Sequence, residues 1–192
     1  PRNDEFTPSP LLSKQTTNYP LISTQYLPKS QKIVYNALLI SFYRFIVMRL
    51  IYGTFAIILC TILDQISKHS ILAHLKTMPG YVHEVTSFFS LVLAWNHGIS
   101  FGLFGQYYQY SNMIFIGINS CIIAYLYYLL ITPISQTLFA GYVLIIGGAI
   151  GNLYGRIEQG AVFDFLYFHL GEYYFPAFNL ADSFIFFGVC VV

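Results

Sequence analysis

The sequence predicts an all-α membrane protein: a four-transmembrane-helix bundle with a small β-containing section between spans 1 and 2. Three observations carry that prediction. Of the 192 residues, 56% are hydrophobic and 9% are charged, whereas a soluble domain carries about 25% charged residues. Mean hydropathy is +0.61. No Asp, Glu, Lys or Arg occurs from Val85 through Gly155, so a water-soluble fold would have no solvated face over that stretch.

The elements follow in order. Residues 1–35 are rich in Pro, Ser, Thr, Gln and Asn and have no sustained periodicity, which predicts a disordered N-terminal tail. Residues 36–192 then form the membrane domain. The Phe/Tyr/Leu-rich stretch from Tyr35 to Phe45 reads as an interfacial helix. Span 1 is expected over about 48–67, with Asp64 and Lys68 one helical turn apart at its far end. A non-spanning section, 70–110, contains a Pro79-Gly80 turn, a strand-like run from Ser87 to Trp95, and a polar, glycine-containing segment from Asn96 to Gly102. Span 2 covers about 113–131 and ends at Thr132-Pro133; span 3 covers about 137–154. Span 4 starts near Leu180 and reaches Val192, short of the about 20 apolar residues a crossing needs. It is expected to be incomplete, and with Pro1 at the start both ends read as truncated.

Lys29, Lys32, Arg44 and Arg49 precede span 1, so the positive-inside rule puts the N-terminus in the cytoplasm. Section 70–110, Asp164 and Asp182 then fall on the outer side. A net charge of +1 gives no reason to expect nucleic-acid binding. Cys60, Cys121, Cys190 and the five histidines lack metal-ligand spacing, so neither a metal nor a cofactor is expected. No Ser/Lys or Ser/His nucleophile arrangement, no glycine-rich phosphate loop after a strand and no Cys/His metal motif is present in the sequence.

The chemistry concentrates in two carboxylates. Asp164 lies in Gly160-Ala161-Val162-Phe163-Asp164-Phe165 and Asp182 in Phe178-Asn179-Leu180-Ala181-Asp182-Ser183, each among aromatic and aliphatic residues. An acid retained in such surroundings is a functional candidate. Between them runs an aromatic loop (Tyr167, Phe168, Tyr173, Tyr174, Phe175, Pro176) that can fold back, so that its two ends can approach each other. Two carboxylates within a few ångströms share a proton and act as acid and base on a water. The structural alternative is that each acid caps a helix or pairs with Arg156. Asn179, one turn before Asp182, is placed to bond a carboxylate or to cap a helix. Gly147, Gly151 and Gly155 line one face of span 3 and suit close helix packing. Asn152 and Arg156 share a face there, and a buried Arg156 needs an anionic partner such as Asp164 or a lipid phosphate. Asp64 and Lys68 read as a structural ion pair or as substrate-positioning groups. Asn96 is a polar residue in an apolar setting.

Five ordered blocks resemble the lipoprotein signal peptidase (signal peptidase II) family of bacterial inner-membrane aspartic proteases. They are Asp64-Gln65-Ile66-Ser67-Lys68; Asn96 through Gly102; Gly147 through Leu153 with Arg156; Gly160 through Phe165; and Phe175 through Asp182. Together they cover roughly 50–192. The resemblance implies that Asp164 and Asp182 are the catalytic dyad. It implies that Asn96, Asn152, Arg156 and Asn179 line the site, supported by Asp64 and Lys68. It implies a substrate, a prolipoprotein cleaved before its diacylglyceryl-modified cysteine, with membrane lipids as the other partner. A monomer is expected, with the site on the periplasmic side. One position departs: the family has Asp immediately before the arginine of the third block, and this chain has Gly155. That departure admits an inactive, decayed copy. A non-enzymatic transporter or channel subunit, using Asp64, Asp164 and Asp182 for proton or cation passage, is the other alternative.

Overall fold

The longest element follows from the longest run without a backbone breaker. No proline occurs between Pro28 and Pro79, and Gly53 is the one glycine in that interval. The computed structural model describes residues 28–98 and 108–192 and has a single helix there, α1 (Lys29–Leu75). The chain divides into two units, Pro1–Phe42 and Tyr43–Val192. In the first, the described residues are the opening turns of α1, with Ile33, Val34 and Leu38 exposed. Residues 29–35 are therefore helical where composition assigned them to a tail, and the stretch from Tyr35 to Phe45 is no separate helix. Ser, Gln and Lys do not break a helix; once a helix is nucleated, each added residue gains a backbone hydrogen bond.

In the second unit α1 continues and is followed by α2 (Tyr108–Leu129), α3 (Gln136–Gln159) and α4 (Leu180–Val191). Three helices, α1, α2 and α3, are long and apolar enough to cross a membrane. They contain the expected spans 1 and 3 and nearly all of span 2. With 12 residues, α4 is shorter than the about 20 a crossing needs, so four spans are not established.

Helix α3 packs against α1 on one side and α4 on the other, and the glycine face is the reason. Gly147 abuts Cys60 of α1, and Gly148 abuts the Ala181 carbonyl of α4. At Gly151 a Cβ would stand 2.5 Å from the Asp64 carboxylate, so only glycine admits that acid. Ile57, Leu130, Val143 and Ile146 form the buried core among the helices. Ser135 caps α3 by accepting from the Leu138 N–H, and Gly160 ends it in the left-handed region at φ 71°.

A four-stranded antiparallel sheet lies at the far end of α1: β1 (Val82–Thr86), β2 (Phe89–Asn96), β3 (Val162–Leu170) and β4 (Tyr173–Tyr174), in that spatial order. The strand-like run of the sequence is β2. Two expectations need correcting. The sheet is not confined to the section between spans 1 and 2, because half its strands follow α3. The aromatic segment between Asp164 and Asp182 is not all loop: Tyr167 and Phe168 lie with Asp164 in β3, and Tyr173 and Tyr174 form β4. Val162-Phe163-Asp164-Phe165-Leu166-Tyr167-Phe168 has strong β character, and the β2 backbone supplies its partner, pairing Ala94 with Asp164 and Asn96 with Val162. Strand alternation then sorts the side chains. Phe163 and Phe165 pack on Leu75 at the end of α1, and Asp164 points to the opposite face. Of the polar segment from Asn96 to Gly102, residues 99–102 lie outside the described residues.

Candidate active site

Asp164 and Asp182 reach one site from different elements. Asp164 comes from β3 and is buried, 2% exposed. Asp182 sits in the first turn of α4 and is half-buried. The turn that positions Asp182 is a reciprocal capping box. Asn179 Oδ1 accepts from the Asp182 N–H at 3.0 Å, and an Asp182 oxygen accepts from the Asn179 N–H at 3.1 Å. The cap expected of Asn179 is therefore present, and it coexists with a second role. With Oδ1 engaged by a backbone donor, the Asn179 amide must turn its Nδ2 toward Asp164, and it donates to Oδ1 of that carboxylate at 2.6 Å. The other Asp164 oxygen accepts from Asn96 Nδ2 at 2.9 Å. Asn96 is itself oriented by the Gly98 N–H, which donates to its Oδ1 at 2.8 Å.

The same donor logic orients Asn152. Lys68 can only donate, so the oxygen of Asn152 faces it, at 3.0 Å from Nζ. That oxygen also accepts from Asn179 Nδ2 at 3.1 Å. The Asn152 amide nitrogen is left to donate to Asp182 Oδ1 at 2.8 Å. The two carboxylates are thus joined through the Asn152–Asn179 amide pair.

Asp64 anchors the network. Fully buried in α1, it accepts from Lys68 Nζ at 2.8 Å, from Gln65 Nε2 at 2.9 Å and from the Ala181 N–H at 3.0 Å. Ala181 lies in the first turn of α4, where backbone N–H groups lack helical partners. The predicted pair of Asp64 and Lys68 is present at i,i+4, and it reaches further than a local pair: it holds the start of α4 with one partner and Asn152 with the other. Gln65 was not foreseen as a site residue. It bridges Asp64 to the Gly151 carbonyl, at 3.0 Å from that oxygen, and its signal was its position beside Asp64 on an apolar helix.

Arg156 departs from expectation. It is buried, but among the described residues it makes no ion pair with Asp164. Its guanidinium lies 5.1 Å from the Phe115 ring centroid, and its Nε and Nη1 have no hydrogen-bond partner there. Its charge nonetheless interacts with both aspartates. The Asp164 carboxyl is pushed up to about 6, first by burial and then by the Asp182 charge, against the opposing hydrogen bonds from Asn96 and Asn179.

The sequence model of the signal peptidase (SPase) II family matches residues 56–192. The lipoprotein signal peptidase of Rickettsia felis is 50% identical over 153 residues, covering 77% of this chain and 78% of its own. That of Rickettsia prowazekii is 49% identical over 150 residues, covering 76% and 77%. This chain belongs to the signal peptidase II family. Two bacterial membrane enzymes solved by the in meso method share the fold. One, at 2.3 Å resolution, is 27% identical with a TM-score of 0.61 and covers 73% of this chain and 84% of its own. The other, at 1.9 Å, is 28% identical with a TM-score of 0.60 and covers 73% and 88%. As a signal peptidase II, the chain is a peptidase that removes signal peptides from lipoproteins, and the transporter alternative is not favoured.

Proposed function

We propose that Asp164 and Asp182 are the catalytic pair of an aspartic endopeptidase that cuts a prolipoprotein before its diacylglyceryl-modified cysteine. The observation that carries this reading is the unequal setting of two linked carboxylates. Buried Asp164, with its carboxyl pushed up to about 6, is the acid of the pair. Half-buried Asp182 is the partner open to a water and serves as the base. Asp182 takes a proton from that water as its oxygen attacks the scissile carbonyl carbon. Asp164 gives its proton to the carbonyl oxygen. As the tetrahedral intermediate collapses, the C–N bond breaks, the proton held by Asp182 passes to the amine of the cysteine, and one hydroxyl of the intermediate returns its proton to Asp164 as the new carboxyl C=O forms. Asn96 and Asn179 keep the Asp164 carboxyl in register, and Asn152 does the same for Asp182.

Around that chemistry we place the chain in a bacterial inner membrane, with the N-terminus cytoplasmic, the site at the periplasmic surface and α4 as the start of a fourth span. Supporting this, the cations Lys29, Lys32, Arg44 and Arg49 precede the apolar core of α1. The sheet next to the site also exposes Phe88, Phe168, Tyr173, Tyr174 and Phe175, residues suited to a bilayer interface. The protein acts as a monomer and needs no metal. Asn96, Asn152, Asn179, Asp64 and Lys68 position the pair, and Arg156, whose charge reaches both aspartates, lines the site. The test is cleavage of a lipidated precursor in membranes by Asp164→Asn and Asp182→Asn. Both variants should insert normally and leave the precursor uncut; full cleavage by either one sinks the assignment.

A further inference from the structure

A cavity of about 190 Å³ adjoins the network around Asp64, sharing Gln65 and Lys68 with it but lined by neither Asp164 nor Asp182. One wall is a stripe of α1 carrying Lys68 and Leu72, continued by Lys76 just past its end, whose N–H donates to the Leu72 carbonyl at 3.1 Å. The opposite wall is the last turns of α3, with Gly155 and Glu158. Trp95 and Phe163, cross-strand partners with ring centroids 5.6 Å apart, line it from the sheet. Gly155 leaves room where a Cβ would meet the Ala161 carbonyl oxygen at 3.2 Å.

The charges on these walls do not satisfy one another. Lys76 and Glu158 line the same cavity, yet neither makes an ion pair among the described residues. Lys68 donates to Asp64 and Asn152, which leaves the third N–H of its ammonium for a guest. His69, the remaining titratable group on the α1 wall, is bonded through Nδ1 to the Gln65 carbonyl. Opposite charges held apart across a cavity suit a guest that is itself a zwitterion. The cavity lies where two span-length helices end beside aromatic strand residues, the level of the headgroup layer in a bilayer.

We propose that this cavity binds the phosphoethanolamine headgroup of a phospholipid, its phosphate on Lys76 and Lys68 and its ammonium on Glu158. A primary ammonium fits better than choline, because the Glu158 carboxylate accepts N–H bonds that a quaternary ammonium cannot donate.

The test equilibrates the full chain in micelles with equal amounts of phosphatidylethanolamine, phosphatidylcholine and phosphatidylglycerol, and native mass spectrometry counts the retained lipid. Ethanolamine lipid is retained over choline lipid by about threefold or more, the worth of one exposed charged contact. Lys76 and Glu158 are both exposed, so their variants keep the fold. Glu158→Gln moves retention from the ethanolamine lipid toward the anionic glycerol lipid, and Lys76→Gln weakens both. Equal retention of the three lipids overturns the proposal. So does an unchanged ethanolamine-to-glycerol ratio in Glu158→Gln, or soluble phosphoethanolamine bound as tightly as the lipid.

Discussion

Asp164 and Asp182 are the same side chain in opposite settings. Asp164 is locked in the middle of a strand, buried, with an amide donor on each oxygen. Asp182 stands at a helix start, half-buried, with one oxygen held by its own capping box and the other by Asn152. The difference teaches how two identical acids acquire different roles. A strand buries its inward residues and raises the cost of charge. A helix N-terminus offers backbone N–H groups and a dipole that favour the anion.

The largest effect comes from removing either acid. Asp164→Asn and Asp182→Asn should each lower the rate of precursor cleavage by about a thousandfold or more, because two groups acting as one unit fail together. A much milder loss in one of them would break the pairing. Next comes the anchor beneath them. Lys68→Met leaves the buried Asp64 carboxylate without its cation and should cost roughly 3 kcal/mol of stability. Thermal denaturation in detergent reads this, and adding Asp64→Asn should recover part of the loss.

The setting of Asp164 also makes stability depend on pH. Its folded carboxyl, at about 6, lies above its ordinary value of 3.8, so the folded state binds the proton more tightly than the unfolded chain. This contribution is complete below about pH 4, is lost as pH rises through about 6, and amounts to roughly 3 kcal/mol. Asp164→Asn lacks that decline. The melting point of the variant relative to the parent should therefore rise between pH 5 and pH 8, whatever the pH-independent cost of setting its amide NH2 against one of the donors from Asn96 and Asn179. An equal difference at both pH values would contradict the buried-charge account.

A finer separation uses the asparagines. Asn96→Ala removes a hydrogen bond that favours ionised Asp164, so the alkaline limb of the kcat/KM profile should move upward by about half a pH unit. Asn152→Ala bears on Asp182 and should lower kcat without moving that limb. The smallest expected effect is at Gly155. A side chain there comes within 3.2 Å of the Ala161 carbonyl oxygen and points to the cavity beside Lys68, not to the aspartates. Gly155→Asp should therefore change cleavage by less than about threefold, on the order of one exposed ion pair. A large gain in precursor cleavage would instead mark Gly155 as a defect of this copy.

Much of the site was legible because its spacings are local. Asp64 and Lys68 are one turn apart on a helix, and both the pairing and the geometry follow from that. Asn179 and Asp182, three residues apart, spell out a helix start, and the capping box is there. The glycines of α3 announced close packing, and they provide it. What was not legible depended on partners distant in sequence. The β3 segment looks like an aromatic loop until β2 pairs with it. Gln65 is an unremarked polar residue until the Gly151 carbonyl arrives beside it. Arg156 looked like the natural partner of Asp164, but the asparagines occupy both oxygens of that acid.

By itself, then, the sequence determined the apolar character of the chain, its order of helices, its helix caps and the family to which its acids belong. Each of these is written in composition or in residues within a turn of one another. Only the tertiary structure decided which acid is buried and so has its carboxyl pushed up, which way the amides of Asn152 and Asn179 face, and that Asp64 grips the first turn of α4. Burial and amide orientation are set by neighbours brought from other elements. No local spacing encodes the low dielectric around Asp164 or the two donors, Lys68 and Asn179, that hold the Asn152 oxygen and leave its nitrogen for Asp182.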